Sequence, residues 1–175
     1  MAVLEIQSSV QMETTMNTGR QLMIQPNDIT ENIVIIKINQ LYHFGMTDLE
    51  LYETTRGIWR RRIESVKDAE YALAVNKGTV VEAYSIDGWY PAGTFPMTTR
   101  KLDPNRCKNR IEFTGKLAPE EIRRKYIGKS VAGLYKFGEA SPVKNISGTD
   151  IRELRGIAKT VSDPEEILKK KLSEL

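Results

Sequence analysis

AEYALAVNKGTVVEAYSI, residues 69–86, is the stretch of sequence that decides the fold. Large side chains at Tyr71, Leu73 and Val75 alternate with alanines, and after the tripeptide Asn-Lys-Gly the alternation resumes from Val80. A period of two is typical of a β-strand with one buried face, and Asn-Lys-Gly supplies residues that tolerate the positive φ of a tight turn. The stretch therefore predicts an antiparallel β-hairpin.

Strands and helices are also predicted on both sides of the hairpin. Residues 33–36 are four consecutive β-branched residues, which is typical of a short buried strand, and residues 111–117 predict another strand. Thr47 or Asp48 can cap a helix, and Gly57 ends it, so that the chain continues in an extended form. Strands and helices do not alternate regularly, so we predict an α+β fold with a central antiparallel, partly barrel-like sheet.

The remaining segments divide the chain into three parts. We expect a loose N-terminal arm at 1–32, an α+β core domain at 33–145 and a C-terminal extension of two amphipathic helices at 146–175. Within the core domain, residues 87–96 are rich in glycine and proline and predict a loop. Residues 118–131 predict a helix, because proline and glutamates come first and basic residues follow, in the order that the helix dipole favours.

Composition excludes several classes of protein. The 175 residues contain one cysteine, Cys107, and one histidine, His43, so neither an internal disulfide nor a cysteine- or histidine-based metal site is expected. No apolar run approaches the roughly 20 residues that span a bilayer, and the first residues do not resemble a secretory signal. We expect a cytoplasmic protein with no membrane partner and no cofactor. His43 lies beside aromatic residues, where a packed histidine is expected rather than a catalytic base.

Basic residues fall in three clusters although the net charge is only +3. Arginine presents a planar fork of donors that matches phosphate oxygens. Each cluster is either a solvated face balanced by acids or part of a phosphate-binding surface. We expect residues 53–62 to form one wall of a cleft shared with residues 87–93 and 106–110. The clusters are Arg56, Arg60, Arg61 and Arg62; Arg100, Lys101, Arg106, Lys108 and Arg110; and Arg123, Arg124, Lys125 and Lys129.

Aromatic residues beside these clusters complete the predicted site. Trp89 and Tyr90 lie in the predicted loop, where an indole either stacks on a base or folds back over the sheet. Trp59 follows the first arginine and is expected to face the core or to join the same pocket. The predicted nucleic-acid-binding residues are Arg56, Trp59, Arg60, Arg62, Trp89, Tyr90 and Lys101.

Motifs for catalysis are weak. Residues 146–152, ISGTDIR, are similar to the ISGTxxR signature of nucleotidylyltransferases, which implies that Ser147, Thr149 and Arg152 hold ATP phosphates. That family also needs an HxGH motif, which a single histidine cannot supply, so capping of the following helix is the simpler interpretation. The carboxylates Glu53, Glu64, Asp87 and Glu112 show no recognisable nuclease spacing.

A resemblance spans three blocks of the chain: YETTRGIWR (52–60), YALAVNKGTVVEAYSIDGWYPAG (71–93) and RIEFTGKLAPEEIRRKYIGKSV (110–131). Together they resemble a family of small prokaryotic proteins connected with restriction and defence contexts. The layout is similar to PUA-like modules of the EVE and ASCH groups, which implies binding of RNA or of a modified base. The signatures of those groups do not match residue by residue, so no functional residue is transferred.

The sequence therefore predicts a non-enzymatic module that binds DNA or RNA and reads an exposed or modified base through an aromatic pocket rimmed by arginines. One alternative is a Mg²⁺-dependent nuclease or phosphodiesterase that uses Glu53, Asp87 or Glu112. The other is an interaction subunit, a homodimer or a complex with a partner protein, that docks through the helices of residues 146–175.

Overall fold

A computed structural model describes residues 22–148, which form six strands, three helices and short 3₁₀ turns at 26–28, 63–65 and 132–134. The helices are α1 (Asp48–Arg56), α2 (Pro104–Cys107) and α3 (Glu120–Tyr126). The strands are β1 (Ile33–Lys37), β2 (Gly57–Trp59), β3 (Tyr71–Asn76), β4 (Thr79–Pro91), β5 (Ile111–Leu117) and β6 (Val143–Ile146). None of the helices in this described part is long and apolar enough to span a bilayer.

The six strands form a single mixed sheet in the order β2-β5-β4-β3-β1-β6. β1 and β3 are parallel, whereas the other neighbouring strands are antiparallel. The α+β prediction is confirmed, but the expectation of a purely antiparallel sheet is wrong for this one pair. The segment between β1 and β3 contains α1 and β2, which makes it long enough for the crossover that a parallel pair requires.

The predicted hairpin is confirmed in β3 and β4. Tyr71 pairs with Ser85 and Asn76 with Thr79, and the turn between them consists of Lys77 and Gly78. Both turn residues have positive φ, 47° and 83°. Positive φ at both positions is the requirement of the type I′ turn, which matches the twist of the flanking strands.

Both faces of the sheet are buried, which explains the unbroken apolar run of β1. Ile33 and Ile35 belong to a core under α3, and Val34 and Ile36 belong to a second core under α1. We call them the α3 core and the α1 core. Because alternate side chains of a strand point to opposite faces, a strand buried on both faces is apolar at every position.

The sheet curls into a half-barrel, and Arg61 links its two edges. Arg61 follows the edge strand β2, and its Nη2 donates hydrogen bonds to Ser141 Oγ at 2.6 Å and to the carbonyl oxygen of Val143, the first residue of the other edge strand. A charged donor on two neutral acceptors is a strong contact. The partly barrel-like shape that the sequence predicts is thus present.

The predicted loop at 87–96 is wrong in its first half, because β4 continues to Pro91. Residues 88–91 pair with residues 111–114 of β5, with a register shift between Ile86 and Gly88. On the facing strand, a side chain at Gly115 would lie 1.9 Å from the Ser85 carbonyl oxygen, so this close approach requires glycine. Gly88, which suggested a loop, therefore belongs to a bulged strand pair.

The structure also bears on the predictions for the N-terminal segment, His43 and the ends of α1. In the segment 22–32, which belongs to the predicted N-terminal arm, Ile24 and Ile29 are buried in the α3 core. His43 is exposed rather than packed. The caps predicted for α1 are confirmed: Thr47 and Glu50 form a capping box, and Gly57 follows the last turn. The C-terminal helices, together with Thr149 and Arg152, lie outside the described residues.

Candidate functional site

A cavity of about 900 Å³ lies where β2 and β4 end and β5 begins. We call it the basic cleft. Among residues 22–148, five cationic residues and no carboxylate line it, and its remaining walls are mostly small or apolar. The cationic residues are Arg60, Arg61, Arg62, Lys108 and Arg110. The structure thus brings three residues of the first basic cluster and two of the second together in one cleft.

The course of the backbone explains why these residues meet. β5 lies between β2 and β4 in the sheet, so the residues that follow β2 and the residues that precede β5 lie at the same end of these strands. Gly57 allows β2 to lie close to β5, because a side chain there would come within 2.9 Å of the Glu112 Cβ. Replacing Gly57 would therefore move one wall of the basic cleft.

Two of the five cations are held by the fold and three are not. Arg61 is bound to Ser141 and Val143, and the Arg110 Nη1 lies 3.4 Å from the Ile58 carbonyl oxygen. Arg60, Arg62 and Lys108 are exposed, and none of them forms an ion pair within residues 22–148. Cations without carboxylate partners attract polyanions, because no neighbouring charge cancels theirs.

The role expected for Arg56 needs correction, because this residue is only 6% exposed. Its Nη2 lies 3.4 Å from Oε2 of Glu112, which is 0% exposed, and donates to the carbonyl oxygens of Phe95 and Pro96 at 2.9 and 3.0 Å. Arg56 therefore neutralises a buried carboxylate and holds the segment after β4, and a phosphate cannot reach it without breaking these contacts.

The three predicted aromatic residues do not converge on one pocket. Trp59 and Trp89 pack against the α1 core, where Trp89 meets Phe113 edge-on with ring centroids 5.4 Å apart. Tyr90 is the next residue along the strand, so it points to the opposite face, and its ring packs against Phe95 at 5.0 Å. None of the three lines the basic cleft. The composition of a predicted loop suggested that the three aromatic side chains converge, but the strand places Tyr90 on the face opposite to Trp59 and Trp89.

A second network of buried charges holds the segment at 95–100. Glu53 accepts hydrogen bonds from the backbone N–H groups of Thr98 and Thr99, both at 2.8 Å, and from their hydroxyl groups. Burial opposes the charged form, but these four bonds outweigh it and lower the pKa of Glu53 to about 2. Arg100 adds contacts to the carbonyl oxygens of Glu53 and Gly57.

This network predicts an acid-sensitive contribution to stability. Because the pKa of Glu53 is about 2 when folded and near 4.5 otherwise, its carboxylate contributes above pH 4.5 and the contribution disappears as the pH falls toward 2. We expect Glu53→Gln to lower the free energy of unfolding by about 3 kcal/mol at neutral pH and by less than half of that near pH 3. Urea unfolding of both proteins at the two pH values measures this difference, and an equal difference at both would contradict it.

Lys101 lies beside the basic cleft rather than in it. It lines a neighbouring cavity of about 870 Å³, formed by residues 92–107, which shares Ala92, Pro104 and Cys107 with the basic cleft. Of the predicted site residues, only Arg60 and Arg62 therefore line the basic cleft. Arg61, Lys108 and Arg110 were missed as site residues, although their membership of the two basic clusters was the signal that could have found them.

Two of the three carboxylates proposed for a Mg²⁺ site have structural partners. Glu53 and Glu112 are buried and bind Thr98, Thr99 and Arg56, whereas Asp87 is exposed. Among residues 22–148, no group of three or more His, Cys, Asp or Glu residues is placed to hold a metal ion. The geometry of these carboxylates therefore gives no support to the nuclease alternative.

Comparison with known proteins returned no relative: the chain matches no protein-family model, no curated protein and no solved structure. The geometry and charge of the basic cleft therefore carry the functional proposal.

Proposed function

We propose that the protein is a nucleic-acid-binding module and that its basic cleft binds the phosphate backbone. The observation that carries the proposal is a concave site that, in the described part of the chain, is lined by five cations and no carboxylate. Arginine and lysine contacts to phosphate oxygens supply most of the affinity for nucleic acid and do not depend on base sequence. Arg60, Arg62 and Lys108 make these contacts, and the anchored Arg61 and Arg110 fix the shape of the site.

The distribution of charge supports this proposal better than the total charge does. A net charge of +3 is small for 175 residues, and many basic residues of the third cluster are neutralised locally. Arg123 binds Glu82 at 2.9 Å, Arg124 binds Glu120 at 3.0 Å and Lys125 binds Glu31 at 2.8 Å. Binding therefore concentrates at the cleft, where Arg60, Arg62 and Lys108 have no such partner among residues 22–148.

A PUA-like identity for the half-barrel is part of the same proposal. It is supported by a curled, strand-rich sheet and by a short helix that follows the first strand. Recognition of an exposed base by Trp59, Trp89 and Tyr90 receives no support from their positions, so the proposal is limited to the backbone. The cytoplasmic location, the defence context and docking through residues 146–175 stay predictions.

Titration of fluorescently labelled oligonucleotides tests the proposal. We expect the wild-type protein to bind both single-stranded and duplex oligonucleotides at low salt, because phosphates are common to both. If the three exposed cations each contact one phosphate, affinity should fall about twentyfold for a single strand and about fortyfold for a duplex between about 50 and about 200 mM salt. Fluorescence anisotropy measures both effects. Absence of binding at low salt, or binding that salt does not weaken, would refute the proposal.

A further inference from the structure

A third cavity, of about 560 Å³, lies beside the turn between β3 and β4 and the segment before β6. We call it the lysine pocket. Three lysines, one carboxylate and an aromatic residue that is fully exposed are among its lining residues. These residues are Lys37, Lys77, Lys136, Glu139 and Phe137.

The charges of the lysine pocket are not balanced within it. Glu139, the carboxylate of the pocket, forms an ion pair with Lys144 at 2.6 Å and accepts a hydrogen bond from the backbone N–H of Lys136 at 3.1 Å. Lys77 and Lys136 are exposed and form no ion pair within the described residues. The pocket therefore carries a net positive charge that an anionic ligand would neutralise.

Tyr135 organises the floor of the lysine pocket. Lys37 Nζ lies 3.6 Å from the centre of the Tyr135 ring, and Lys144 Nζ lies 4.8 Å from the same centre. Two ammonium groups therefore pack against one aromatic ring. Burial, together with the charge of Glu139, raises the pKa of Tyr135 to about 12. The phenol is thus neutral at physiological pH and does not cancel the charge of the lysines.

Arg61 connects the lysine pocket to the basic cleft. Arg61 is a lining residue of the basic cleft, its guanidinium binds the carbonyl oxygen of Val143, and the residue after Val143 is Lys144. Lys144 in turn lies against Tyr135, which lines the lysine pocket. A chain of contacts therefore runs from the basic cleft to the lysine pocket across the joined edges of the half-barrel, through Arg61, residues 143–144 and Tyr135.

We propose that the lysine pocket is a second phosphate-binding site and that one extended nucleic-acid strand contacts both it and the basic cleft. This inference rests on the function proposed for the basic cleft. Phosphates at one end of the strand bind Arg60, Arg62 and Lys108, and phosphates farther along bind Lys77 and Lys136. The ligand is therefore a polymer of a minimum length rather than a single nucleotide.

A length series tests the inference with the variant Lys77→Gln/Lys136→Gln. The control Lys67→Gln/Lys116→Gln removes the same charge from two exposed lysines that line none of the three cavities. Each protein is titrated with single strands of about 5 and about 20 nucleotides, lengths that bracket common single-strand site sizes. Thermal unfolding of each variant establishes that it is folded.

We expect the lysine-pocket variant to bind the long strand about tenfold more weakly than the control, with a salt slope reduced by about 1.4. Its affinity for the short strand should be unchanged. Equal affinity of both variants for the long strand would overturn the inference and leave the cleft intact. An equal loss of affinity for the short and the long strand would also contradict the inference that one extended strand contacts both sites. Absence of binding of either strand by the wild type would instead defeat the function proposed for the cleft.

Discussion

Replacing Arg56 by methionine should lower the free energy of unfolding by about 3–5 kcal/mol, the usual effect of leaving a buried charge without its partner. Glu112 is 0% exposed, and Arg56 is its cationic partner, at 3.4 Å. The substitution also removes two hydrogen bonds to the carbonyl oxygens of Phe95 and Pro96. The segment that these bonds hold lies next to the basic cleft, so its loosening should lower the affinity for nucleic acid as well.

Chemical denaturation measures this effect against two controls. Arg62→Met removes an exposed arginine of the same cluster and should change stability by less than about 0.5 kcal/mol. The double variant Arg56→Met/Glu112→Gln should recover part of the loss, because the amide at residue 112 carries no charge to be compensated. A loss below about 1 kcal/mol for Arg56→Met alone would show that Arg56 is not the partner on which Glu112 depends.

The variant Arg60→Gln/Arg62→Gln/Lys108→Gln should bind a single-stranded oligonucleotide about a hundredfold more weakly than the wild type at low salt. These three cations line the basic cleft, are exposed and have no carboxylate partner in the described part of the chain. Because glutamine keeps a similar length and polarity, the loss should come from charge rather than from shape. Stability should change little, since none of the three holds a buried group.

A matched control for this variant must remove equal charge from elsewhere. Lys67→Gln/Lys116→Gln/Arg106→Gln is suitable, because all three residues are exposed and line neither the basic cleft nor the lysine pocket. The control should lose less than about fivefold in affinity, through the weaker long-range field alone. A control that loses as much as the cleft variant would mean that the affinity follows net charge and not this site.

Local signals in the sequence were sufficient where short-range physics decides the structure. The hairpin follows from alternation and from a turn whose residues accept positive φ, and the first helix follows from Thr47, Glu50 and Gly57. In each case the deciding contacts lie within a few residues. Such elements are readable without knowledge of the rest of the fold.

Long-range pairing decided the features that the sequence did not reveal. Residues 88–91 are a strand only because β5 supplies their hydrogen-bonding partner. Arg56 is buried only because Glu112 lies on that same strand, opposite Gly57. The bulge near Gly88 sets which face receives Trp89 and which receives Tyr90, and no local pattern fixes its position.

The candidate site shows the same division between features that the local sequence reveals and features that long-range contacts decide. The abundance of arginine at 56–62 and of basic residues at 100–110 was visible in the sequence. The sequence did not show which of these cations are structural and which are exposed. Arg56, Arg61 and Arg100 differ from Arg60 and Arg62 only in the acceptors that the fold places near them. Cluster membership predicts where a basic surface lies, but only the contacts identify the cations that remain for a ligand.

The salt dependence of binding, compared between the wild type and Arg60→Gln/Arg62→Gln/Lys108→Gln, tests the central proposal most directly. The slope of log K against log salt counts the phosphate contacts that a protein makes to a nucleic acid. If the basic cleft binds the backbone of a single strand, the magnitude of the slope should fall by about 2 when the three charges are removed. An identical slope in the two proteins would contradict the proposal, because the phosphates would then be bound elsewhere.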